Sequence, residues 1–466
     1  MNKKIRLLDT TLREGEQQRG IHFPLEAKIE IISALEKYSF ADKYEIHCYT
    51  GKTFEEAKRL VREFGAEKFL LHHRCFKEDV DVSCKVGAPL SVFIGVSDLH
   101  LKAKGMTREG VLRKIDDDLT YAEKKGVRVE KIALEDATRA DPEFLKKVIE
   151  VACEHGVKLI CICDTVGVAN PYDFENLLWE LSRSLKSGSE FVVHCHNDMG
   201  LSLANCLAAY RAGVRVFTVS WHGYGERAGI TPAEQLIMLF KTMGILNNVR
   251  TEGIAEISRL VSRYSGIYPK PHDPIVGDNA FTHKAGAHAD KVRRMPETYE
   301  PYPPEMIGRK RRIVLSHIAG KSSVYLKLKE DYGIEVDEET AKRIAEEIRA
   351  YCAEIGSDPS DPEVEEVIER VLGLKRGELM KRRRYPQLIR ATILINVKTD
   401  SISRVAKEIR RILPEAVSIE ETLGEYDLIV QISASSFYQV DMFVDLIREI
   451  DGVEKTTTVV ATKKWK

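Results

Sequence analysis

The sequence predicts an α/β protein: a (β/α)8 TIM barrel, then small helical subdomains, then a C-terminal ferredoxin-like domain of βαββαβ order. Three observations predict this architecture. From residue 5 to about residue 226, short β-rich runs alternate with amphipathic stretches, which is typical of parallel strands with helical crossovers. Eight such runs occur, and eight parallel strands close a barrel. The final segment changes to the strand and helix order of a ferredoxin-like unit.

The eight β-rich runs end in polar residues, as the rim of a barrel active site requires. The predicted strands are 5–9, 44–49, 68–73, 90–96, 131–135, 158–164, 190–197 and 214–222. Stretches such as 25–38 and 54–64 carry apolar residues three and four positions apart, so we predict helices there. An open doubly wound sheet is the alternative, but it would show a glycine fingerprint in its first strand-to-helix turn, and this chain has none.

The remainder of the chain changes composition twice. The alternation stops at the Pro-rich stretch 268–274, and the ferredoxin-like pattern begins shortly after Pro386. We therefore predict a catalytic barrel over 1–268, a subdomain carrying a His/Tyr loop over 269–335, a helical subdomain and linker over 336–386, and an effector domain over 387–466. Within the last domain, the predicted strands are 392–397, 417–422, 427–433 and 456–461, and the predicted helices are 401–413 and 437–450.

Composition excludes several classes of partner. The 466 residues include 71 basic and 72 acidic ones, so no global field attracts nucleic acid or an anionic membrane. The basic run 381–384 is short and is typical of a solvated helix end. No apolar run approaches the roughly 18 residues of a membrane span. The nine cysteines form no Cys-x-x-Cys pair and are expected to be free thiols, so we predict a cytoplasmic protein.

The first predicted strand breaks at once into the polar cluster Asp9-Thr10-Thr11-Leu12-Arg13-Glu14-Gly15-Glu16-Gln17. Buried polar groups are costly unless they are paired or bind a ligand. A helix N-terminus capped by Asp9 or Thr10 is the alternative, but capping would use only one or two of these groups and leave Arg13 and Gln17 without a role. The cluster therefore predicts a binding site at the carboxyl end of the strand.

The seventh predicted strand carries His194 and His196, whose imidazoles share one face because side chains alternate along a strand. Two histidines and one carboxylate, from Glu14 or Asp9, would leave open positions on a divalent ion. A pair of core histidines is the alternative, but Asn197 and its neighbour Asp198 offer outer partners that a plain core would not need.

A second polar cluster, 281–290, lies outside the predicted barrel. It places His283 and His288 around a lysine and a glycine. Histidine exchanges protons near neutral pH, so the cluster indicates acid–base chemistry, with a plain surface loop as the alternative.

These motifs, with Gly225-Glu226-Arg227 and Glu297-Thr298-Tyr299, resemble the metal-dependent acyl-CoA:2-oxo acid synthases, which include the isopropylmalate, citramalate and homocitrate synthases. The resemblance covers about residues 4–330, and Glu14 in place of aspartate favours the homocitrate synthase branch. The final stretch resembles the effector-binding domain of leucine-responsive regulatory proteins, without their DNA-binding helices.

The resemblance implies that Glu14, His194 and His196 hold a divalent ion, which could be magnesium, manganese or zinc. It implies that Arg13 stabilises the alkoxide formed on the substrate. Gln17 would position the oxo acid. The implied reaction is a Claisen-type condensation of acetyl-CoA with a 2-oxo dicarboxylic acid, giving homocitrate from 2-oxoglutarate in lysine biosynthesis.

The resemblance also implies that His288 removes a proton from the acetyl group, with Tyr299 and Glu135 nearby. His72 would recognise the distal carboxylate, and Thr165 would contact the substrate through its hydroxyl. In relatives, the histidine loop reaches over the partner's barrel, so a homodimer or larger assembly is implied. The C-terminal domain would bind an amino acid such as lysine as an inhibitor.

Three positions depart from the pattern of members that use 2-oxoglutarate. They have arginine where this chain has Lys131, serine where it has Ala133, and aspartate where it has Ser91. Lysine keeps the charge of arginine but not its two-pronged geometry. A citrate synthase of the opposite stereochemistry acting on oxaloacetate, or an isopropylmalate or citramalate synthase, is therefore an alternative. An amino-acid-responsive regulator is the non-enzyme alternative, but the sequence shows no helix-turn-helix.

Overall fold

The computed structural model describes residues 4–49, 51–75, 77–284, 291–292, 294–382, 389–398, 400–413, 416–434 and 437–460. The chain forms two compact units, Met1–Val261 and Ser262–Lys466. The finer boundaries predicted at 268, 335 and 386 remain a prediction. Within the described residues, no helix combines the length and apolar character needed to cross a membrane.

The first unit is a closed barrel of eight parallel strands that pair in chain order, with β1 also paired to β8. The strands are β1 (Arg6–Asp9), β2 (Lys43–His47), β3 (Phe69–Arg74), β4 (Leu90–Gly95), β5 (Val129–Glu135), β6 (Leu159–Asp164), β7 (Glu190–Cys195) and β8 (Val216–Val219). Each of the eight predicted runs overlaps one of these strands, so the barrel prediction is confirmed.

Ten helices of the described chain accompany the barrel strands, and several begin at a side-chain cap. They are α1 (Leu25–Tyr38), α2 (Lys52–Phe64), α3 (Lys77–Ser83), α4 (Asp98–Lys104), α5 (Arg108–Lys124), α6 (Pro142–Glu154), α7 (Pro171–Leu181), α8 (Ser202–Arg211), α9 (Ala233–Thr242) and α10 (Ile254–Ser265). The side chains of Thr107, Asp141 and Asn170 accept backbone N–H groups at the starts of α5, α6 and α7. Such caps satisfy donors that the first turn leaves unpaired.

The interior of the barrel is packed along most of its length. Apolar side chains and two cysteines fill it: Leu8, Leu70, Ala133, Leu159, Cys161, Cys163, Val192 and Val216. The charged side chains described below therefore lie at the carboxyl end of the strands, where active sites of this fold are found.

Strands β7 and β8 are shorter than the predicted runs 190–197 and 214–222. Past β7, His196 forms an isolated bridge with Ile230, and the Asn197 N–H donates to the Gly229 carbonyl at 2.9 Å. Past β8, His222 adopts a left-handed backbone (φ 57°) inside a tight turn. The polar residues at both ends therefore belong to loops that cross the mouth of the barrel.

The second unit begins with short elements and continues as a helical subdomain. These elements are β9 (Thr282–His283), β10 (Arg312–Ile313), α11 (Lys321–Lys327), α12 (Glu338–Ile355), α13 (Asp361–Leu372) and α14 (Glu378–Arg382). Strands β9 and β10 pair in parallel. Leu315, Val324, Ile344 and Ile368 belong to one buried apolar cluster that joins these elements.

The C-terminal elements form a four-stranded antiparallel sheet in the order β12-β13-β11-β14, with two helices. They are β11 (Ile389–Val397), α15 (Ile402–Ile412), β12 (Ala416–Glu421), β13 (Leu428–Ala434), α16 (Phe437–Arg448) and β14 (Val453–Val460). Ile393, Val430, Ile409 and Ile447 lie in its apolar core. The predicted βαββαβ domain is confirmed. Of the basic run, Lys381 and Arg382 lie in α14, and the other two residues lie outside the described residues.

Candidate active site

Three of the predicted metal ligands converge at the carboxyl end of the barrel. One ligand atom from each of Glu14, His194 and His196 lies within 4.8 Å of the other two, and all three residues are buried. Glu14 follows β1, His194 lies on β7, and His196 follows β7. Two segments that are far apart in the sequence therefore meet at one point. Asp9, the other candidate carboxylate, does not belong to this group.

The distance between the two imidazole nitrogens fits a divalent ion. The Nε2 atoms of His194 and His196 are 3.3 Å apart, and His196 Nε2 is 4.0 Å from Glu14 Oε1. Two nitrogens bound to one ion at about 2.1 Å, with an angle between them of about 90° to 110°, are about 3.0 to 3.4 Å apart. Two imidazoles and one carboxylate also leave coordination positions for a substrate. The residues present therefore fit the ion.

The protonation states suit metal binding. Burial lowers the pKa of His194 well below its ordinary value and also lowers the pKa of His196, so both imidazoles are neutral at pH 7. Burial alone would raise the pKa of Glu14, but the Arg13 guanidinium and the two histidines lower it to about 2. Neutral imidazoles and an ionised carboxylate are the forms that bind a cation.

A loop after β8 holds the carboxylate of Glu14. The backbone N–H of Glu226 donates to Glu14 Oε1 at 3.2 Å. Gly225 lies so close that a Cβ atom there would be 3.1 Å from Glu14 Cγ. At Gly229 (φ 78°), a Cβ atom would be 1.8 Å from the Gly223 carbonyl oxygen, so only glycine fits. The loop therefore depends on its glycines to reach the carboxylate.

Arg13 and Gln17 both contact Glu14. Arg13 Nη1 donates to Glu14 Oε2 at 2.5 Å, and Arg13 Nη2 donates to Glu45 Oε2 at 2.7 Å. With its amide oriented so that the NH2 group donates, Gln17 lies 3.2 Å from both carboxylate oxygens of Glu14. The Nε–H of Arg13 is buried and has no hydrogen-bond partner among the described residues. The Nε–H of Arg13 is therefore a donor that another group could use.

Glu45, in the middle of β2, binds the other buried cation of the site and also contacts Arg13. Lys131 Nζ and Ser91 Oγ both donate to Glu45 Oε1, at 2.7 Å and 2.6 Å. The side chains of Lys131 and Glu45 are 1% and 0% exposed. Burial alone would raise the pKa of Glu45, but Lys131 and Arg13 hold it well below its ordinary value. Glu45 is therefore ionised.

His72 lies beside this carboxylate. Its Nδ1 atom is 3.3 Å from Ser91 Oγ and 3.5 Å from Glu45 Oε1, and its ring stacks on Phe93 with centroids 4.9 Å apart. Burial lowers the pKa of His72 to about 4, so the ring is neutral at pH 7. It can exchange hydrogen bonds with a ligand without adding charge.

The charges balance within the cluster formed by Arg13, Lys131, Glu14 and Glu45. Two cations, Arg13 and Lys131, face two carboxylates, Glu14 and Glu45. Two further ion pairs at the rim, Arg227 with Asp198 and Lys104 with Glu135, are each neutral by themselves. A divalent cation would therefore give the site a net positive charge that an anionic ligand could neutralise.

Several predicted site residues make other contacts. Glu135 lies at the rim, where Lys104 Nζ donates to it at 3.3 Å, and the hydroxyl of Thr165 accepts the N–H of Asp136 at 2.8 Å. In the second unit, Lys291 Nζ donates to the hydroxyl of Tyr299 at 3.2 Å. His288 lies outside the described residues.

Two polar residues from the strand ends have structural partners instead. The carboxylate of Asp9 accepts the N–H of Thr11 at 2.9 Å, and burial raises the pKa of Asp9 to about 7. The carboxylate of Asp164 accepts the Thr138 hydroxyl and the N–H of Ala169, so it organises the loop after β6.

Sequence reasoning missed two residues that complete the site. Glu45 lies in the predicted strand 44–49, and no sequence motif marks it as the residue that pairs with both Arg13 and Lys131. Thr218 lies on β8 and contacts His194, with its Oγ1 atom 2.9 Å from His194 Nδ1. A signal for Thr218 exists, because it is a polar residue at an inward position of an otherwise apolar strand, two residues after the interior Val216.

Known protein families match three successive segments of the chain. Residues 4–261 match the HMGL-like family, residues 275–356 match the homocitrate synthase post-HMGL domain-like family, and residues 390–466 match the Lrp/AsnC ligand binding domain.

Among solved structures, the barrel is similar to an HMG-CoA lyase from Bacillus subtilis, with a TM-score of 0.51 and 21% identity, covering 57% of this chain and 95% of that one. An HMG-CoA lyase from Acinetobacter baumannii, solved with coenzyme A and 3-methylmalate, has a TM-score of 0.50 and 18% identity, covering 57% of this chain and 92% of that one. At these identities the likeness shows the fold alone.

Curated relatives extend over the whole chain. A homocitrate synthase from Sulfolobus acidocaldarius is 35% identical, covering 100% of this chain and 98% of the relative. Homocitrate synthases from Saccharolobus islandicus and Sulfurisphaera tokodaii are 34% and 33% identical, covering 99% of this chain and 99% and 100% of the relatives.

The barrel and its buried carboxylate–histidine cluster define an acyl-CoA-dependent condensing enzyme of the HMGL-like class. Within that class, the chain belongs to the homocitrate synthase family, since the curated relatives match it from end to end. The predicted resemblance is confirmed for both the catalytic and the C-terminal regions.

Proposed function

We propose that this enzyme condenses acetyl-CoA with 2-oxoglutarate, giving homocitrate and CoA. The observation that carries the proposal is the convergence of Glu14, His194 and His196 beside the unpaired Nε–H of Arg13. Family membership supports the reaction type, because the relatives that match the whole chain are homocitrate synthases. The reaction places the enzyme in lysine biosynthesis.

Glu14, His194 and His196 would hold a divalent ion, and their mixed nitrogen and oxygen donors favour manganese or zinc over magnesium. When bound, the ion supplies positive charge that polarises the oxygens of the oxo acid. Gln17 lies beside Glu14 and would orient the oxo acid through its amide.

Arg13 would stabilise the charge that develops on the substrate. Carbon–carbon bond formation converts the ketone oxygen of the oxo acid into an alkoxide. Two of the five N–H groups of Arg13 are held by Glu14 and Glu45, which fixes the guanidinium, and the one at Nε is unpaired among the described residues. A fixed charged donor aimed at a developing anion lowers the barrier without reorganisation.

The base that removes a proton from the acetyl methyl group would be His288, with Tyr299 and Glu135 assisting. The resulting carbanion attacks the ketone carbon, and water then hydrolyses the thioester, which releases CoA as a thiol. Lys104 Nζ donates a hydrogen bond to the Glu135 carboxylate near the mouth of the barrel.

Charge balance favours a dicarboxylic oxo acid. Arg13 and Lys131 already neutralise Glu14 and Glu45, so a divalent ion needs two further negative charges. A 2-oxo dicarboxylate supplies both, whereas a monocarboxylate leaves one positive charge uncompensated. His72, Ser91 and Lys131 lie together on neighbouring strands and would receive the distal carboxylate, while Thr165 would contact the substrate at the rim.

The test is CoA release with 2-oxoglutarate, oxaloacetate, pyruvate and 2-oxoisovalerate, measured side by side. We expect the highest kcat/KM with 2-oxoglutarate and values at least about 100-fold lower with the monocarboxylates, because an uncompensated buried charge costs about 3 kcal/mol or more. Preference for oxaloacetate would reassign the enzyme as a citrate synthase. Preference for 2-oxoisovalerate would contradict the charge argument.

We further propose that the C-terminal domain binds an amino acid, with lysine as the inhibitor, and that the enzyme acts as a homodimer or larger assembly. The match to the Lrp/AsnC ligand binding domain supports the first statement. Deleting residues 388–466 should abolish inhibition by lysine and leave turnover intact, whereas unchanged inhibition would contradict it. The nine cysteines are free thiols, which supports a reducing compartment.

A further inference from the structure

The two histidines of the proposed metal site have different surroundings. The Nδ1 atom of His194 lies 2.9 Å from Thr218 Oγ1. The Nδ1 atom of His196 is buried and has no hydrogen-bond partner among the residues that the structure describes. Among the described residues, only His194 therefore has a hydrogen-bond partner at the ring nitrogen that does not face the proposed metal site.

Thr218 is placed between the strands that supply the site. It lies on β8, which pairs with β7 on one side and with β1 on the other, where Thr218 stands opposite Leu8. Its side chain is completely buried. Besides His194, its hydroxyl contacts the backbone carbonyl of Val193 at 2.9 Å.

Counting hydrogens assigns the direction of both contacts. Two contacts of 2.9 Å need two hydrogens, one between each pair of atoms. The carbonyl of Val193 has none, and the hydroxyl of Thr218 has one. If the hydroxyl donated to His194, two oxygen lone pairs would face each other at the carbonyl. The hydroxyl therefore donates to Val193, and the Nδ1–H of His194 donates to Thr218.

We infer that Thr218 is a positioning residue that fixes His194 in the Nδ1–H tautomer and aims the lone pair of its Nε2 atom at the metal. The inference rests on the proposed function, because it assumes that Glu14, His194 and His196 hold the ion. Such outer partners set the tautomer and orientation of a ligating histidine, and their loss typically costs about 10- to 100-fold in metal affinity.

The experiment measures the Kd for Mn²⁺ by electron paramagnetic resonance of the free ion, using the full-length enzyme after removal of metal. Thr218→Val keeps the shape and burial of the side chain but removes the hydroxyl. We expect it to weaken Mn²⁺ binding about 10- to 100-fold. Thr218→Ser restores a hydroxyl and should bring the Kd back to within about threefold of the wild type.

Thr231→Val is the matched control. Thr231 is also completely buried, and its hydroxyl contacts the sulfur of Cys206 at 3.2 Å and no ligand of the proposed site. Its Kd for Mn²⁺ should equal that of the wild type. At saturating Mn²⁺, Thr218→Val should recover most of its turnover, with the KM for the oxo acid unchanged, because the lost function is metal retention.

The outcomes separate this inference from the proposed function. Equal Kd values for the wild type and Thr218→Val would overturn the inference alone, as would an equal loss in Thr231→Val. If the wild type binds no Mn²⁺, or binds it with the same Kd as Glu14→Gln, both the proposed metal site and the inference are overturned. A selective loss in Thr218→Val that serine reverses would support both.

Discussion

The carboxyl end of the barrel and the C-terminal sheet domain bury opposite kinds of side chain. The barrel end buries Arg13, Glu14, Glu45 and Lys131 as ion pairs with almost no exposure. The C-terminal domain buries an apolar core around Ile393. Buried ion pairs add little stability compared with apolar packing, so we infer that this protein keeps them for function and not for stability. In this enzyme, the difference separates a region built for chemistry from one built for packing.

The largest expected effect comes from Glu14, the carboxylate nearest the histidine pair. Glu14→Gln keeps the shape but removes the charge that a cation needs, and we expect turnover to fall at least about 1000-fold, or about 4 kcal/mol. The measurement is the rate of CoA release. Glu130→Gln is the matched control, because Glu130 is also buried and paired, with Lys43, at the amino end of the barrel. Equal losses of turnover in both variants would contradict a special role for the carboxyl end of the barrel compared with its amino end.

Substitutions at Lys131 test whether the buried ion pair with Glu45 contributes to stability. Lys131→Met leaves Glu45 with Arg13 as its remaining cation, and we expect the free energy of unfolding to fall by about 3 kcal/mol, since an uncompensated buried charge is costly. The KM for 2-oxoglutarate should rise as well. Lys131→Arg keeps the charge and should lose less stability in a denaturant titration. A Met variant as stable as the wild type would show that the pair is not needed for folding.

Ile393 tests the packed region. It is completely buried on β11, and Ile393→Ala should destabilise the C-terminal domain by about 3 kcal/mol through lost contacts and the cavity left behind. Turnover without effector should stay at the wild-type value. Thr458→Ala, at the exposed residue opposite Ile393 on β14, should change stability by less than about 0.5 kcal/mol. A large loss of turnover in the Ile393 variant would contradict the proposal that the barrel carries out catalysis independently of packing in the C-terminal domain.

Asp9 gives the smallest effect, and its sign is fixed by its pKa. Burial raises the pKa of Asp9 from 3.8 to about 7, so the folded state holds a proton that the unfolded chain releases above about pH 4. Its contribution to stability is present below pH 4 and is lost as the pH rises to about 7. The free energy of unfolding of Asp9→Asn, relative to that of the wild type, should therefore rise by about 2 to 3 kcal/mol as the pH is raised from 5 to 8. A constant difference across this range would show that Asp9 ionises normally.

Much of the barrel site was predictable because its chemistry lies in local motifs. Strand alternation places His194 on an inward face, and the polar break after β1 marks Glu14 and Arg13. The contacts of Glu45 were not predictable in this way, because its partner Arg13 comes from the segment after β1 and its partner Lys131 from β5. Register between strands decides such contacts, and a single sequence carries little information about it.

Loop geometry explains the remaining differences. The predicted runs 190–197 and 214–222 are too long because the apolar pattern continues into loops that bridge the mouth of the barrel. The contact of Thr218 with His194 depends on the pairing of β7 with β8. The ferredoxin-like order was predictable since its strands and helices alternate within one short stretch of chain.

The most direct test is metal removal. The enzyme is dialysed against EDTA, and CoA release from acetyl-CoA and 2-oxoglutarate is measured before and after Mn²⁺ is restored. If Glu14, His194 and His196 hold the ion that the charged end of the barrel requires, activity falls to the level of Glu14→Gln and returns with the metal. Full activity in the stripped enzyme, with no ion bound, would contradict this reading of the site.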